Sequence, residues 1–166
     1  MDAHDAENQL ESFLAKYEPG VAGCARAVRS ALRKRFPGAF ELIYDNYNAL
    51  AIGFGPSERT SEAVLSIAVY PRWVSLFFLF GAFLNDPEGV LRGSGKQVRH
   101  VVLASADDLS RRAIKALLNQ AIEDCPSMRK KGSPGPVLVT SVSARQRPRR
   151  PGTGTSKPRR PTAPPN

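Results

Sequence analysis

The chain has 166 residues, of which 42% are hydrophobic, which is enough for one domain of ordinary size but not for two large ones. No apolar run reaches the roughly 18 residues of a membrane span, and the acidic start lacks the apolar stretch of a secretory signal. Two cysteines, Cys24 and Cys125, are too few for a disulfide framework or a zinc site. We therefore expect a cytoplasmic protein without a transmembrane segment.

The net charge of +9 is distributed unevenly along the chain. Residues 1–126 carry 14 Lys and Arg against 15 Asp and Glu, whereas residues 127–166 carry ten basic and no acidic residues. The second segment also has eight of the 14 prolines and none of the aromatic residues. Such a composition buries too little apolar surface to fold by itself. The sequence therefore predicts a nearly neutral domain over 1–126 and a basic, proline-rich, mostly disordered tail over 127–166.

Two helices followed by five strands are predicted along the domain. Apolar residues recur at steps of three and four over residues 10–17 and 21–36, which is typical of one buried face in each helix. Pro19 and Pro37 end these two patterns. Short strand-like segments then follow at residues 40–47, 50–54, 64–70, 73–80 and 98–103.

A last helix is predicted after the strands. Ser105 and Asp108 have the spacing of a capping box, and apolar residues over 109–122 share one helical face. The order ααβββββα predicts an α+β fold in which helices pack on one face of an antiparallel sheet of about five strands. Residues 137–142 of the tail are rich in β-branched side chains, so a short strand there could join a sheet edge.

Two segments of the chain resemble a known family. They read VYPRWVSLFF at residues 69–78 and DPEGVLRGSGKQVRH at residues 86–100, and both resemble the YdhG-like family of domains of unknown function. The likeness covers about residues 10–122, and residues 141–150 resemble the basic ending of one branch of that family. The resemblance implies a small α+β fold with an antiparallel sheet. Some relatives have been proposed as frataxin-like iron chaperones, but the resemblance assigns no residue to that role.

The glycine-rich segment 89–96 suggests an anion site. It is not a nucleotide-binding Walker loop, because Val90 stands where that motif needs a glycine and Gln97 replaces the hydroxyl residue. Glycines still expose backbone amides, and arginine binds phosphate or carboxylate through two parallel hydrogen bonds. The candidate anion-binding residues are Arg72, Arg92, Lys96, Arg99 and His100. The alternative is that the glycines only shape a turn and the basic side chains lie in solvent.

No catalytic group is predicted. His100 lies in a strand on the same face as Val98 and Val102, where a single histidine is more often structural than catalytic. Cys24 and Cys125 lie on apolar helix faces or ends, which favours buried, reduced thiols over activated nucleophiles. We therefore expect a binding module rather than an enzyme.

Four aromatic residues lie around two predicted turns and could line a pocket. They are Tyr44, Tyr47, Tyr70 and Trp73. The alternative is that these rings pack in the core, which is the commoner role of aromatic residues beside a hairpin.

The acidic first helix carries three metal-ligand candidates. His4, Glu7 and Glu11 fall on one side of this helix, and oxygen ligands of this kind suit iron. The same acidic residues are also favoured at a solvated helix N-terminus by the helix dipole. A metal site there would belong to a frataxin-like iron carrier.

The tail carries candidate nucleic-acid contacts at Arg145, Arg147, Arg149 and Arg150. Such a basic segment neutralises phosphates without sequence preference and releases them as salt rises. Taken together, the sequence predicts a binding module for a small anionic ligand or a protein partner near Arg72 and the 92–100 segment. The alternatives are the iron carrier and nonspecific nucleic-acid binding through the tail.

Overall fold

The computed structural model describes residues 2–132 and 134–152. The described chain forms helices α1 (Ala3–Leu14), α2 (Pro19–Arg35) and α3 (Arg112–Ala121) and strands β1 (Phe40–Asp45), β2 (Leu50–Gly55), β3 (Leu65–Val69), β4 (Val74–Phe78), β5 (Arg99–Leu103) and β6 (Val137–Val142). None of the helices in this part combines the length and the apolar character needed to cross a bilayer.

The six strands form one mixed sheet in the order β5-β4-β3-β2-β1-β6. Strands β1 to β5 make an antiparallel meander, as predicted, whereas β6 pairs parallel with β1. The predicted α+β class is confirmed, but the sheet has six strands instead of about five and is mixed instead of antiparallel, because the strand at 137–142 joins it parallel to β1. Parallel neighbours cannot be joined by a hairpin turn, and the chain reaches the edge beside β1 through the long segment after β5 that contains α3.

The helices cover one face of the sheet only. In register, Ile43, Ile52, Ile67, Leu76 and Val101 form a row across β1 to β5, and all five are at most 4% exposed. Buried residues of α1, α2 and α3 belong to the same apolar cluster as this row. Burying each such aliphatic side chain stabilises the fold by about 1.5–3 kcal/mol.

The opposite face of the sheet carries smaller and more polar residues. Gly53 and Gly55 lie on this face beneath the β2–β3 loop, where a Cβ at Gly55 would come 2.9 Å from the Cα of Ala63. Ser75 is fully buried on the same face, and Phe77 stacks on His100 beside it. No helix in the described residues joins a cluster on this side.

The turn between β5 and α3 is built by a capping box. Ser105 and Asp108 cap a short 3-10 helix, Ala106–Ser110, and the Asp108 carboxylate accepts the backbone N–H of Ala104 at 2.8 Å. Helix α3 therefore begins only at Arg112, later than the single helix expected from the sequence. This compact turn places Arg111 beside the end of β5.

The segment after β6 is bonded to the domain, although the sequence places it in a mostly disordered tail. The strand predicted over residues 137–142 is present as β6. Beyond it, the guanidinium of Arg149 lies 3.0 Å from the Asp45 carboxylate, and the side chains of this pair are 3% and 0% exposed. A buried carboxylate needs a counter-charge, and the tail provides it. Residues 153–166 lie outside the described residues.

Candidate functional site

The predicted basic cluster is divided between the two ends of β5. Arg72 lies in the β3–β4 turn, two residues before Val74, which pairs with Leu103 at the end of β5. Arg99 begins β5 and pairs with Phe78. Four residue steps along a strand span about 13 Å. The structure therefore does not bring Arg72 together with Arg99.

The residues at the start of β5 hold their own loop together. The backbones of Arg92 and His100 exchange two hydrogen bonds of 2.9 Å. The Arg99 guanidinium donates to the backbone oxygens of Gly95 at 2.6 Å and Val98 at 2.8 Å. Lys96 points from the same loop as an exposed residue. Arg92, Arg99 and His100 therefore mainly stabilise the glycine-rich loop.

His100 is a buried residue of the open sheet face. It is 2% exposed, and its ring centroid lies 5.1 Å from that of Phe77. Its Nε2 has no hydrogen-bond partner among the described residues. Burial, and then the nearby charge of Arg92, lower the pKa of His100 below its ordinary value. The imidazole is therefore neutral near pH 7, as expected for a structural histidine.

Arg72 lines a groove of about 680 Å³ at the other end of β5. The groove is formed by the start of α2, the β3–β4 turn, the end of β5 and the capped turn before α3. Its apolar lining comes from Val21, Val74, Val102 and Leu103. A volume of this size is typical of small-molecule sites, which span about 300–1,000 Å³.

One wall of this groove contains an aromatic ring that stacks on a second ring behind it. Trp73 lines it and stacks on Tyr70, with ring centroids 4.7 Å apart. The indole N–H of Trp73 is buried and has no hydrogen-bond partner among the described residues. An unsatisfied buried donor costs about 1–3 kcal/mol, so this N–H lowers the stability of the wall.

The other two predicted pocket residues lie elsewhere. The hydroxyl of Tyr44 is hydrogen-bonded to the Thr60 side chain. Tyr47 is 47% exposed, and the guanidinium of Arg147 lies 5.7 Å from its ring centroid. The structure thus joins Tyr70 with Trp73 but does not gather all four aromatic residues around one pocket.

The groove has two arginines on its rim, Arg72 and Arg111, and both are exposed. Neither has an ion-pair partner among residues 2–132 and 134–152. Two carboxylates also line the groove. That of Asp108 is occupied by the N–H groups of the capping box, whereas Glu18, at the start of α2, makes no capping hydrogen bond. The formal charges of the lining therefore cancel, but the two guanidinium groups have no carboxylate within ion-pair distance in the described residues and can donate to a ligand.

Cys24 also lines the groove, but its thiol is not activated. Its Sγ lies 3.9 Å from the backbone oxygen of Ala104, to which it donates a weak hydrogen bond. Burial, and then the charge of Asp108, raise the pKa of Cys24 above its ordinary value. A protonated thiol is a poor nucleophile.

The metal-ligand candidates of α1 are engaged by arginines. The Glu7 carboxylate accepts hydrogen bonds from Arg29 at 2.6 and 2.9 Å, and these lower the pKa of Glu7. Glu11 pairs with Arg26 at 3.0 Å, and His4 is exposed near the start of the helix. Within the described residues, no group of three or more His, Cys, Asp and Glu side chains could hold a metal ion.

Of the four tail arginines, three contact the domain. Arg149 pairs with Asp45, Arg147 lies over Tyr47, and the Nε of Arg150 donates to the backbone oxygen of Lys16 at 3.1 Å. Arg145 is exposed. The Arg149 charge is thus neutralised by the fold and is not free to bind a phosphate.

The sequence did not reveal Arg111 as a site residue. It follows a capping box, and the only signal that could have identified it is that the box turns the chain back toward the end of β5. That signal becomes useful only once the strand register is known.

A comparison with protein-family models, with curated proteins and with solved structures finds no match to this chain.

Proposed function

We propose that the chain is a non-enzymatic binding module that holds a small anion with an apolar body in the groove between Arg72, Trp73 and Arg111. The observation that carries this proposal is the pair of exposed guanidinium groups, Arg72 and Arg111, which line one largely apolar groove and have no ion-pair partner in the described residues. The hydrogen-bonding capacity of these two groups is unused until a ligand supplies acceptors.

The chemistry of the lining indicates the ligand class. A carboxylate, phosphate or sulfonate accepts two parallel hydrogen bonds from a guanidinium group. The apolar lining by Val21, Val74, Val102 and Leu103 favours a ligand whose remaining part is hydrocarbon or aromatic. An inorganic ion would leave this apolar surface in water.

A binding role agrees better with the lining than catalysis does. The Cys24 thiol has a raised pKa, and the Asp108 carboxylate is held by backbone amides. Neither group is poised for proton transfer or nucleophilic attack. The YdhG-like resemblance is compatible with this role, since it assigns no catalytic residue.

Trp73 is the only tryptophan in the chain, so its fluorescence reports on this groove. The probe is 8-anilinonaphthalene-1-sulfonate, an apolar anion that accepts energy from tryptophan. We expect saturable energy transfer from Trp73, and an about tenfold weaker Kd in Arg72→Gln and Arg111→Gln, equivalent to about 1.4 kcal/mol. The matched controls, Lys96→Gln and Arg99→Gln, remove the same charge from the other end of β5.

Two outcomes would overturn the proposal. If Arg72→Gln and Arg111→Gln bind the probe as tightly as the unmodified protein, the groove is not the anion site. If Arg99→Gln weakens binding as much as Arg72→Gln, the charge acts from the start of β5 or over long range, and the assignment to the groove fails.

A further inference from the structure

A second groove, of about 500 Å³, lies at the opposite end of β4. It is formed by the β2–β3 loop, the segment after β4 and the end of α3. Phe80 and Phe83 line it and are 38% and 72% exposed. Large aromatic side chains exposed side by side are typical of an interaction surface. We call this surface the phenylalanine groove.

The rim of the phenylalanine groove is acidic. Glu62, Glu123 and Asp124 line it, and none of the described basic residues does so. The Glu62 carboxylate accepts a hydrogen bond from the Ser57 hydroxyl, and its ion-pair contact with the exposed Arg59 is long, at 3.8 Å. Glu123 and Asp124 have no ion-pair partner in the described part of the chain. A partner that combines apolar residues with positive charge complements this surface.

The chain itself contains a segment of that chemistry. Residues 153–166 read TGTSKPRRPTAPPN, with three basic residues, four prolines and no acidic residue. Three positive charges thus match the three carboxylates of the rim. Proline-rich segments dock on aromatic-lined grooves because their rings pack on aromatic faces at a low cost in conformational entropy.

The segment is long enough to reach the groove within one molecule. Arg150 is bonded to the end of α1, near the β1–β2 turn, whereas Val64 and Phe78 place the groove at the far end of β3 and β4. Strands of five or six residues span about 20 Å. The fourteen residues that follow Gly152 can extend about 46 Å.

We propose that the phenylalanine groove receives the basic, proline-rich residues 153–166 of the same chain. The prolines contact Phe80 and Phe83, and the basic side chains face the carboxylates of Glu62, Glu123 and Asp124. This intramolecular contact lies on a different surface from the Arg72 groove and is independent of the function proposed for that groove.

Cys125 is a natural reporter, because it lines the phenylalanine groove and is partly exposed. In a Cys24→Ser background, iodoacetamide alkylates Cys125 alone. The alkylation rate is measured at a pH high enough to ionise the thiol fully, so that the rate does not depend on the pKa of Cys125. We expect this rate to rise about fivefold in the triple variant Lys157→Glu, Arg159→Glu, Arg160→Glu. A fivefold rise corresponds to a groove that the unmodified tail occupies for about four-fifths of the time.

Two further variants make this test specific. Adding Glu123→Lys and Asp124→Lys to the triple variant restores opposite charges, and the expected result is renewed protection of Cys125. In a Cys125→Ser background, the alkylation rate of Cys24 serves as a control and does not change with the tail charges. Equal Cys125 rates with native and reversed tails would overturn the proposal. Protection that appears only as protein concentration rises would overturn intramolecular docking, because it would place the tail of another copy in the groove.

Discussion

The arginines of two regions differ in whether a carboxylate faces them. On the helix side of β1, Arg29 and Arg149 lie against Glu41 and Asp45, with the arginine side chains 10% and 3% exposed. At the groove, Arg72 and Arg111 are exposed and have no such partner among the described residues. Arg29 and Arg149 therefore stabilise the fold, whereas Arg72 and Arg111 remain available to a ligand.

The largest effect is expected from Arg149→Ala. This change leaves the fully buried Asp45 carboxylate with Lys16, at 2.8 Å, as its remaining ion-pair partner. Removing one partner of a buried pair costs about 3–5 kcal/mol of unfolding free energy. Urea denaturation measures this loss, and Arg150→Ala, one position away and exposed, is the matched control. Equal stability of the two variants would show that the tail does not support the domain.

A smaller effect is expected from Arg29→Ala. Glu41 keeps Arg33 at 2.9 Å, as Asp45 keeps Lys16, and the other partner of Arg29 is the partly exposed Glu7, which water can solvate. Loss of Arg149, by contrast, also removes its hydrogen bonds to the backbone oxygens of Asn46 and Tyr47. The expected loss for Arg29→Ala is about 2 kcal/mol of unfolding free energy, the usual cost of removing a hydrogen bond to a charged group. Arg26→Ala breaks an exposed pair with Glu11 and costs at most about 1 kcal/mol. If both variants lose the same amount, burial does not distinguish the two pairs.

The pH dependence of stability offers a further test at Asp45. Burial raises the pKa of this carboxyl, but hydrogen bonds from Lys16, Gln146 and Arg149 outweigh burial and lower the pKa below its ordinary value of 3.8. The stabilisation is therefore fully present above pH 3.8 and is lost as the pH falls through the lower folded value. Unfolding free energies measured from pH 7 to 2 should show the unmodified protein approaching Asp45→Asn at acid pH. A constant difference between the two proteins would contradict this linkage.

The local parts of the fold could be predicted from the sequence, but the charge pairing could not. Helical and strand periodicity over a few residues identifies α1, α2 and the meander from β1 to β5. By contrast, Arg149 and Asp45 are 104 positions apart, and β6 joins the sheet through a parallel pairing that no local pattern indicates. A signal was present in β1, where Glu41 and Asp45 share the face of Ile43, because acidic residues on a core-facing side need distant partners.

The candidate site was predictable to the same extent. Arg72, Tyr70 and Trp73 are neighbours in the sequence, so their proximity follows from one turn. Arg99 and Arg72 both flank strands, but their separation depends on the register of β4 with β5, in which Phe78 pairs with Arg99. Arg111 joins Arg72 for the same reason, because the antiparallel register brings the end of β5 back to the β3–β4 turn.

The smallest effect on stability is expected at the groove, where the structural and ligand-binding roles of arginine can be measured separately. Arg72→Gln and Arg111→Gln remove exposed charges that have no acidic partner in the described chain, so each should change the unfolding free energy by no more than about 0.5 kcal/mol. The same variants should weaken binding of the anionic probe, whereas folded Arg29→Ala should bind it normally. Thermal unfolding and probe titration on the same samples separate the two roles. A destabilisation of Arg72→Gln comparable to that of Arg29→Ala would mean that the groove arginines also serve the fold, and the division between structural and ligand-binding arginines would be lost.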